Sequence, residues 1–275
     1  MHPETAVADH YRNPGLEQSI LDALERTGHD PDQIEPDDLL AVDELHVGGV
    51  QATRDVAVAA GITSGTEVLD IGSGIGGPAR LFAHHFGATV VGVDVTPEFV
   101  RTATSLTARA GLSHSVAFVE GSGLHLPFAE DEFDVATLLH VGMNIADKPA
   151  VFAEVARVLK PGGIFAVYDI MVTGAGSPVY PLPWAADAEI SFLGSPDEYA
   201  DALREAGFMV ESTRDRRDAG IEFVESGPKR AAGESPSPLG MHLVMGPDGR
   251  TRTANLLAAM KAGVLGPVEL VARPR

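Results

Sequence analysis

The sequence predicts an α/β fold with a Rossmann-like, doubly wound and mostly parallel sheet, and three observations carry that expectation. An apolar run, Glu67 to Ile71, leads straight into the glycine loop Gly72-Ser73-Gly74-Ile75-Gly76-Gly77 and a helix opened by Pro78. A second apolar run, Thr89 to Val93, ends in Asp94, and Thr96 and Pro97 then open another helix. The alternation continues to Ile170, with helices closed by Gly87, Gly111 and the turn Lys160-Pro161-Gly162-Gly163.

The glycine loop carries the chemistry. Gly72, Gly74 and Gly77 have G-x-G-x-x-G spacing, which permits a tight turn, close backbone approach to a ligand and close packing of the next helix. An ordinary βα turn would need no more than that. Two acids sharpen the reading: Asp70 precedes the loop and Asp94 ends the next strand, so both carboxylates face the ligand crevice of an open α/β sheet. Asp70 repels a pyrophosphate and attracts an α-ammonium group, favouring a cationic, phosphate-free nucleotide. Asp70, Gly72, Gly74 and Gly76 resemble the first motif, acid-x-Gly-x-Gly-x-Gly, of the class I S-adenosylmethionine (AdoMet)-dependent methyltransferases. That resemblance implies AdoMet as cofactor and S-adenosylhomocysteine (AdoHcy) as product. It also implies a loop including Ser73 around the methionine part, Asp94 on the ribose hydroxyls with Val95 beside it, and a seventh strand lying antiparallel between the fifth and sixth.

Length and composition bound the function. A chain of 275 residues can bury a substantial core, as one α/β domain with an appended cap. No stretch is apolar enough to span a membrane, and Met1-His2-Pro3-Glu4-Thr5 lacks a basic region followed by an apolar one, so a secretory leader is not expected. The absence of cysteine removes disulfides and thiolates and agrees with a cytoplasmic location. A formal net charge of −19 repels nucleic acid and anionic membranes, leaving a small molecule as the expected partner. The 10 histidines include His84-His85 but form no recognisable metal-ligand pattern, so no metal is expected.

Taken in order, residues 10–27 read as one amphipathic helix with Leu16, Ile20, Leu21 and Leu24 on a face that closes over the site or packs on a second copy. Tyr11, at its start, is either a cover for a bound sulfonium or a surface aromatic. Residues 1–61 form a helical cap, and 62–275 the cofactor domain. Within the cap, Leu45-His46-Val47-Gly48 resembles the His-Gly element upstream of the first strand in sarcosine and dimethylglycine N-methyltransferase-like proteins. His46 is thereby a candidate contact to methionine or substrate, or else a hydrogen-bonded loop histidine. After the strand Val116–Glu120, the resemblance assigns Ser122, Gly123 and Leu124 to adenine, with Ser122 where an acid is commonest. A strand over 133–140 places His140, Met143 and Asn144 around the transferable methyl.

Residues 174–195 break the βα rhythm with Tyr180, Trp184 and Ser191, and 214–262 form a second substrate-side insertion, charged and then Gly/Ser/Pro-rich over 214–238. Tyr180 joins His46 and His140 as a catalytic candidate. Tyr180, Trp184, Ser191, Met143 and Asn144 are the substrate-side candidates. The expected reaction is methyl transfer from AdoMet to a small acceptor through N, O or C. Two other readings stand beside it: a nicotinamide-dependent oxidoreductase, since Asp94 lies twenty-two residues after Gly72, and a catalytically inactive AdoMet-binding scaffold.

Overall fold

The computed structural model describes residues 3–226 and 237–275. Seven strands, β1 (Glu67–Ile71), β2 (Thr89–Asp94), β3 (Val116–Glu120), β4 (Phe133–Leu139), β5 (Leu159–Val172), β6 (Phe208–Asp215) and β7 (Leu265–Pro274), form one sheet in the order β3-β2-β1-β4-β5-β7-β6. The first five run parallel, and β7 lies antiparallel between β5 and β6. The expected fold class is borne out. The chain order reverses between β1 and β4, the switch point at which an open sheet binds ligands.

Helices cover both faces because the central strands are buried on both sides. Val68, Val90 and Val135 pack beneath α4 (Gly49–Ala59) and α5 (Gly77–Phe86), joining Val56 and Phe82. Leu69, Ile71 and Phe165 face α7 (Lys148–Val158) and α8 (Pro196–Glu205), joining Phe152 and Tyr199. Ser195 and Glu198 close a reciprocal capping box on α8, as the Ser-Pro-Asp-Glu run predicts.

Three expectations need correction. The helix expected over 10–27 starts only at Leu16, as α2 (Leu16–Arg26), and a separate helix, α1 (Pro3–His10), precedes it, because Pro14 lacks an N–H donor and Gly15 adopts φ 84°. The apolar face of α2 is buried within the chain: Leu16, Ile20 and Leu24 meet Phe99 and Leu106 of α6 (Pro97–Arg109). No apolar stripe on α2 is left for a second copy. Within the stretch read as a charged, Gly/Ser/Pro-rich connection, Arg217–Ser226 is a helix, α9, while residues 227–236 lie outside the described residues. The remaining helices are α3 (Leu40–Asp43), α10 (His242–Met245) and α11 (Gly249–Lys261).

Candidate active site

Adjacent parallel strands bring three loops together at their C-terminal ends. Gly72 holds φ 70°, and a β-carbon there would stand 2.3 Å from Val141 in the loop after β4. No other residue fits that contact. The N–H groups of Gly72 and Ser73 donate to the Val93 carbonyl at 2.7 and 3.1 Å, tying the loop to β2. Asp94 completes the tie, its Oδ2 accepting from Gly74 N–H at 2.9 Å and its Oδ1 from Thr96 N–H at 2.8 Å. A carboxylate has lone pairs enough to accept further bonds beyond these two.

Asp70 is 1% exposed, and only one of its oxygens is satisfied: Oδ1 accepts from Thr137 at 2.8 Å, while Oδ2 is buried without a partner. Burial pushes its pKa up to about 7, against the Thr137 hydrogen bond, with Glu44 and Asp94 adding to the rise. Ser73 Oγ and His140 Nε2 are likewise buried and unpartnered. Such orphans are expensive unless a ligand meets them.

All three residues line one cavity of about 1760 Å³. Pockets for a single small ligand are typically about 300–1,000 Å³, so this one has room for two molecules. Its walls include Tyr11, His46, Asp70, Gly72, Ser73, Gly74, Asp94, Val95, Gly123, Leu124, His140, Met143, Asn144 and Trp184.

Residues 69–167, from β1 through β5, match the family model described as a methyltransferase domain. That segment makes up 99 of the chain's 275 residues. The chain is 35% identical over 168 residues to sterol 24-C-methyltransferase erg6 of Aspergillus fumigatus, covering 58% of this chain and 45% of that one. It is 36% identical over 185 residues to erythromycin 3''-O-methyltransferase of Saccharopolyspora erythraea, covering 62% and 60%. The matches to the first four such relatives span about a third to a half of their length. Among solved structures, the [4+2]-cyclase SpnF superposes with a TM-score of 0.64 at 25% identity, covering 82% of this chain and 80% of that one. A protein assigned as a sarcosine dimethylglycine methyltransferase, from Galdieria sulphuraria, superposes with a TM-score of 0.66 at 21% identity, covering 82% and 85%. The expected resemblance to AdoMet-dependent methyltransferases is borne out.

Above the glycine loop, a strap of hydrogen bonds closes the cavity. Asn144 is its knot. Its Oδ1 accepts from the Tyr11 hydroxyl at 3.0 Å, and its Nδ2 donates to the carbonyls of Trp184 and Ile190, both at 3.0 Å. Asn144, expected to face a substrate, therefore has its amide committed to holding the α1–α2 turn against the 174–195 segment. Trp184 lines the cavity, but Ser191 does not: its Oγ accepts from the indole Nε1 at 2.9 Å and orients that ring. Tyr180 is also absent from the cavity walls, because its ring joins the apolar cluster around Leu182 and Trp184. Ser122 turns away as well, donating to Glu4 and accepting from Leu124 N–H at 3.0 Å, while its neighbours Gly123 and Leu124 form wall.

The two histidines differ. His140 ends β4 at φ 55°, an uncommon conformation for a residue with a β-carbon, held by an N–H bond to the Tyr168 carbonyl at 2.7 Å and by ring stacking on Tyr168 at 5.3 Å. Burial first and His46 second hold its pKa well below the usual histidine range, so the ring is neutral near pH 7. His46 is also neutral, its pKa lowered by burial to about 4. Its Nε2 lies 3.0 Å from Thr53 Oγ1, which donates to Glu44 Oε2 at 2.7 Å, so this nitrogen is already engaged by a buried hydroxyl.

Several site residues carried no sequence signal. Arg80 is 1% exposed and its guanidinium grips Asp43 at 2.5 and 3.2 Å and the Ile75 carbonyl at 2.8 Å, joining the segment before α4 to the glycine loop. Arg252 and His10 meet on the far wall at 3.0 Å. Away from the cavity, the exposed Asp37, His84 and His85 bring potential ligand atoms within 4.8 Å, among the described residues a trio that sequence distance concealed.

Proposed function

We propose that this protein transfers a methyl group from AdoMet to an apolar small molecule held in the same cavity. The observation that carries this reading is the cluster of buried, unpartnered polar atoms, Asp70 Oδ2, Ser73 Oγ and His140 Nε2, at the glycine-loop end of a cavity with room for two ligands. Asp70 would hold the α-ammonium group, Asp94 the ribose hydroxyls, and Gly123 and Leu124 the adenine. When bound, AdoMet supplies a methyl group already activated on a sulfonium. The chain's work is then alignment and exclusion of water. Tyr11, Asn144 and Trp184 seal the strand ends, and Met143 fills the floor at 1% exposure.

His140 suits a positioning role. Its neutral ring presents an unpartnered nitrogen, Nε2, that could hydrogen-bond a hydroxyl or an amine. The absence of cysteine agrees with a cytoplasmic setting, and no helix among the described residues is long and apolar enough to cross a membrane. Calorimetry with AdoMet, AdoHcy and NAD tests the cofactor, and a metabolite screen with methyl-labelled AdoMet tests the transfer. NAD binding without AdoMet binding would defeat the proposal, since Asp70 disfavours a pyrophosphate. The likeness to a [4+2]-cyclase favours one second reading, a cofactor-holding scaffold whose cavity shapes a different reaction. AdoMet binding with no methyl consumed by any acceptor would support it.

A further inference from the structure

We infer that the α10–α11 wall of the cavity is a carboxylate-binding subsite, so that the acceptor is an amphiphile, an apolar body ending in a carboxylate. The inference rests on the proposed function only in taking the acceptor to share this cavity. Its basis is Arg252. The Nη1 of this residue donates to His10 Nε2 at 3.0 Å and to the Pro183 carbonyl at 3.4 Å, while Nε is buried with no partner. No hydrogen bond from Nη2 and no ion pair to Arg252 occurs among the described residues. The unpartnered edge of the guanidinium is thus the Nε–Nη2 side, whose two parallel N–H vectors match the two oxygens of a carboxylate.

The surroundings favour an anion at that edge. In a chain with 39 acidic and 20 basic residues, the partner chosen for this wall arginine is a histidine and not an acid. Burial, with Arg252 as the next cause, lowers the His10 pKa below its ordinary value, so His10 accepts as a neutral ring and leaves the arginine's charge uncompensated. Opposing the fall in the His10 pKa are a hydrogen bond to the Pro183 backbone and the charge of Asp187, an exposed residue.

Local helix electrostatics point the same way. Arg250 and Arg252 both stand in the first turn of α11, which contains no acid, and the N-cap Asp248 makes no side-chain capping bond. Cations at a helix N-terminus oppose its dipole, whereas an anion there is favoured by dipole and arginines together. The same cavity offers an apolar body contacts with Phe99, Leu243, Val244, Leu256 and Leu257, and it is lined by the carboxylates of Asp70 and Asp94 as well as by the Arg252 guanidinium.

Trp184 is the chain's one tryptophan and lines the cavity, so its fluorescence reports occupancy. The test titrates the AdoHcy-saturated protein, and the protein without AdoHcy, at pH 8 with decanoate, decanol and decyl phosphate. Decanoate is expected to bind at least about tenfold more tightly than decanol, the increment of one charge-assisted bidentate pair. Arg252→Met, which keeps the aliphatic stem, should bring the two ligands to within about twofold while leaving AdoHcy affinity unchanged. Equal binding of decanoate and decanol to the wild type would overturn the inference, as would an undiminished preference in a folded Arg252→Met protein or a preference for decyl phosphate alone. If Arg252→Met does not fold, the wild-type comparison decides. Loss of AdoHcy binding with the decanoate preference intact would defeat the methyltransferase reading and leave the subsite standing.

Discussion

Replacing Asp70 by Asn tests whether the acid before the glycine loop meets a cation. The substitution keeps the shape of the side chain and leaves Oδ1 able to accept from Thr137, but it removes the charge at the unpartnered oxygen. With its pKa at about 7, the free protein holds Asp70 mostly protonated at pH 5.5 and mostly ionised at pH 7.5. An α-ammonium group stays charged through that interval and binds the ionised form. AdoHcy affinity should therefore rise about 25-fold from pH 5.5 to pH 7.5, or roughly 1.9 kcal/mol, as a proton is displaced on binding. At pH 6.5, calorimetry in two buffers of different ionisation enthalpy should register about three-quarters of a proton released per AdoHcy. Asp70→Asn should release none, show no such slope, and bind more weakly at pH 7.5 by about 1.5–3 kcal/mol, the contribution of a hydrogen bond to a charged group.

Stability of the free protein should move the opposite way. A folded-state pKa of about 7 against an ordinary 3.8 penalises the ionised form, so the Asp70 contribution is lost as pH rises from about 4 to about 7, by up to roughly 4 kcal/mol. The stability of Asp70→Asn relative to wild type should accordingly improve with pH. An unchanged affinity slope in the variant, or no proton release by the wild type, would refute the reasoning.

Asp94→Ala strips acceptors from Gly74 N–H and Thr96 N–H, so melting temperature as well as AdoHcy affinity should fall, each lost bond to the carboxylate costing about 1.5–3 kcal/mol. Unchanged values of both would show the nucleotide to be misplaced. For His140, turnover in single-turnover assays at saturating AdoMet should be flat from pH 6 to 8, with His140→Asn retaining more activity than His140→Ala and neither changing the pH profile; an acidic limb present in wild type and absent from both variants would make His140 a base instead. Arg80→Met leaves Asp43 buried without its partner and should cost about 3–5 kcal/mol in denaturant unfolding. Because burial raises the Asp43 pKa to about 6 even against Arg80, the acid takes up a proton at still higher pH once Arg80 is gone, and the loss should shrink as pH falls toward 6. Tyr11→Phe should cost about 0.5–1.5 kcal/mol of stability by leaving Asn144 Oδ1 without its donor, and equal melting curves would show the strap to be idle.

Local sequence determined the sheet, the glycine loop and the cofactor end of the cavity, because each depends on signals that neighbours along the chain supply. The Gly72 turn, the Pro-opened helices, the Ser195 capping box and the acids closing β1 and β2 are short-range features, and their strand ends converge wherever such strands pair. Even so, the spacing of Leu16, Ile20 and Leu24 disclosed an apolar face but not its partner, which α6 supplies from some eighty residues away. Only the tertiary structure decided how polar groups are spent. Asn144 and Ser191 carry the right chemistry for a ligand, yet Tyr11, Ile190 and Trp184 consume it. His46 looks like His140 in sequence, but Thr53 occupies its Nε2 while His140 Nε2 is left without a partner. Arg252 meets His10 across 242 residues, and Arg80 meets Asp43 across 37. A side chain's local pattern specifies what it can donate or accept; which bond it makes is set by packing among distant elements, where an unmet buried group costs more than a met one gains.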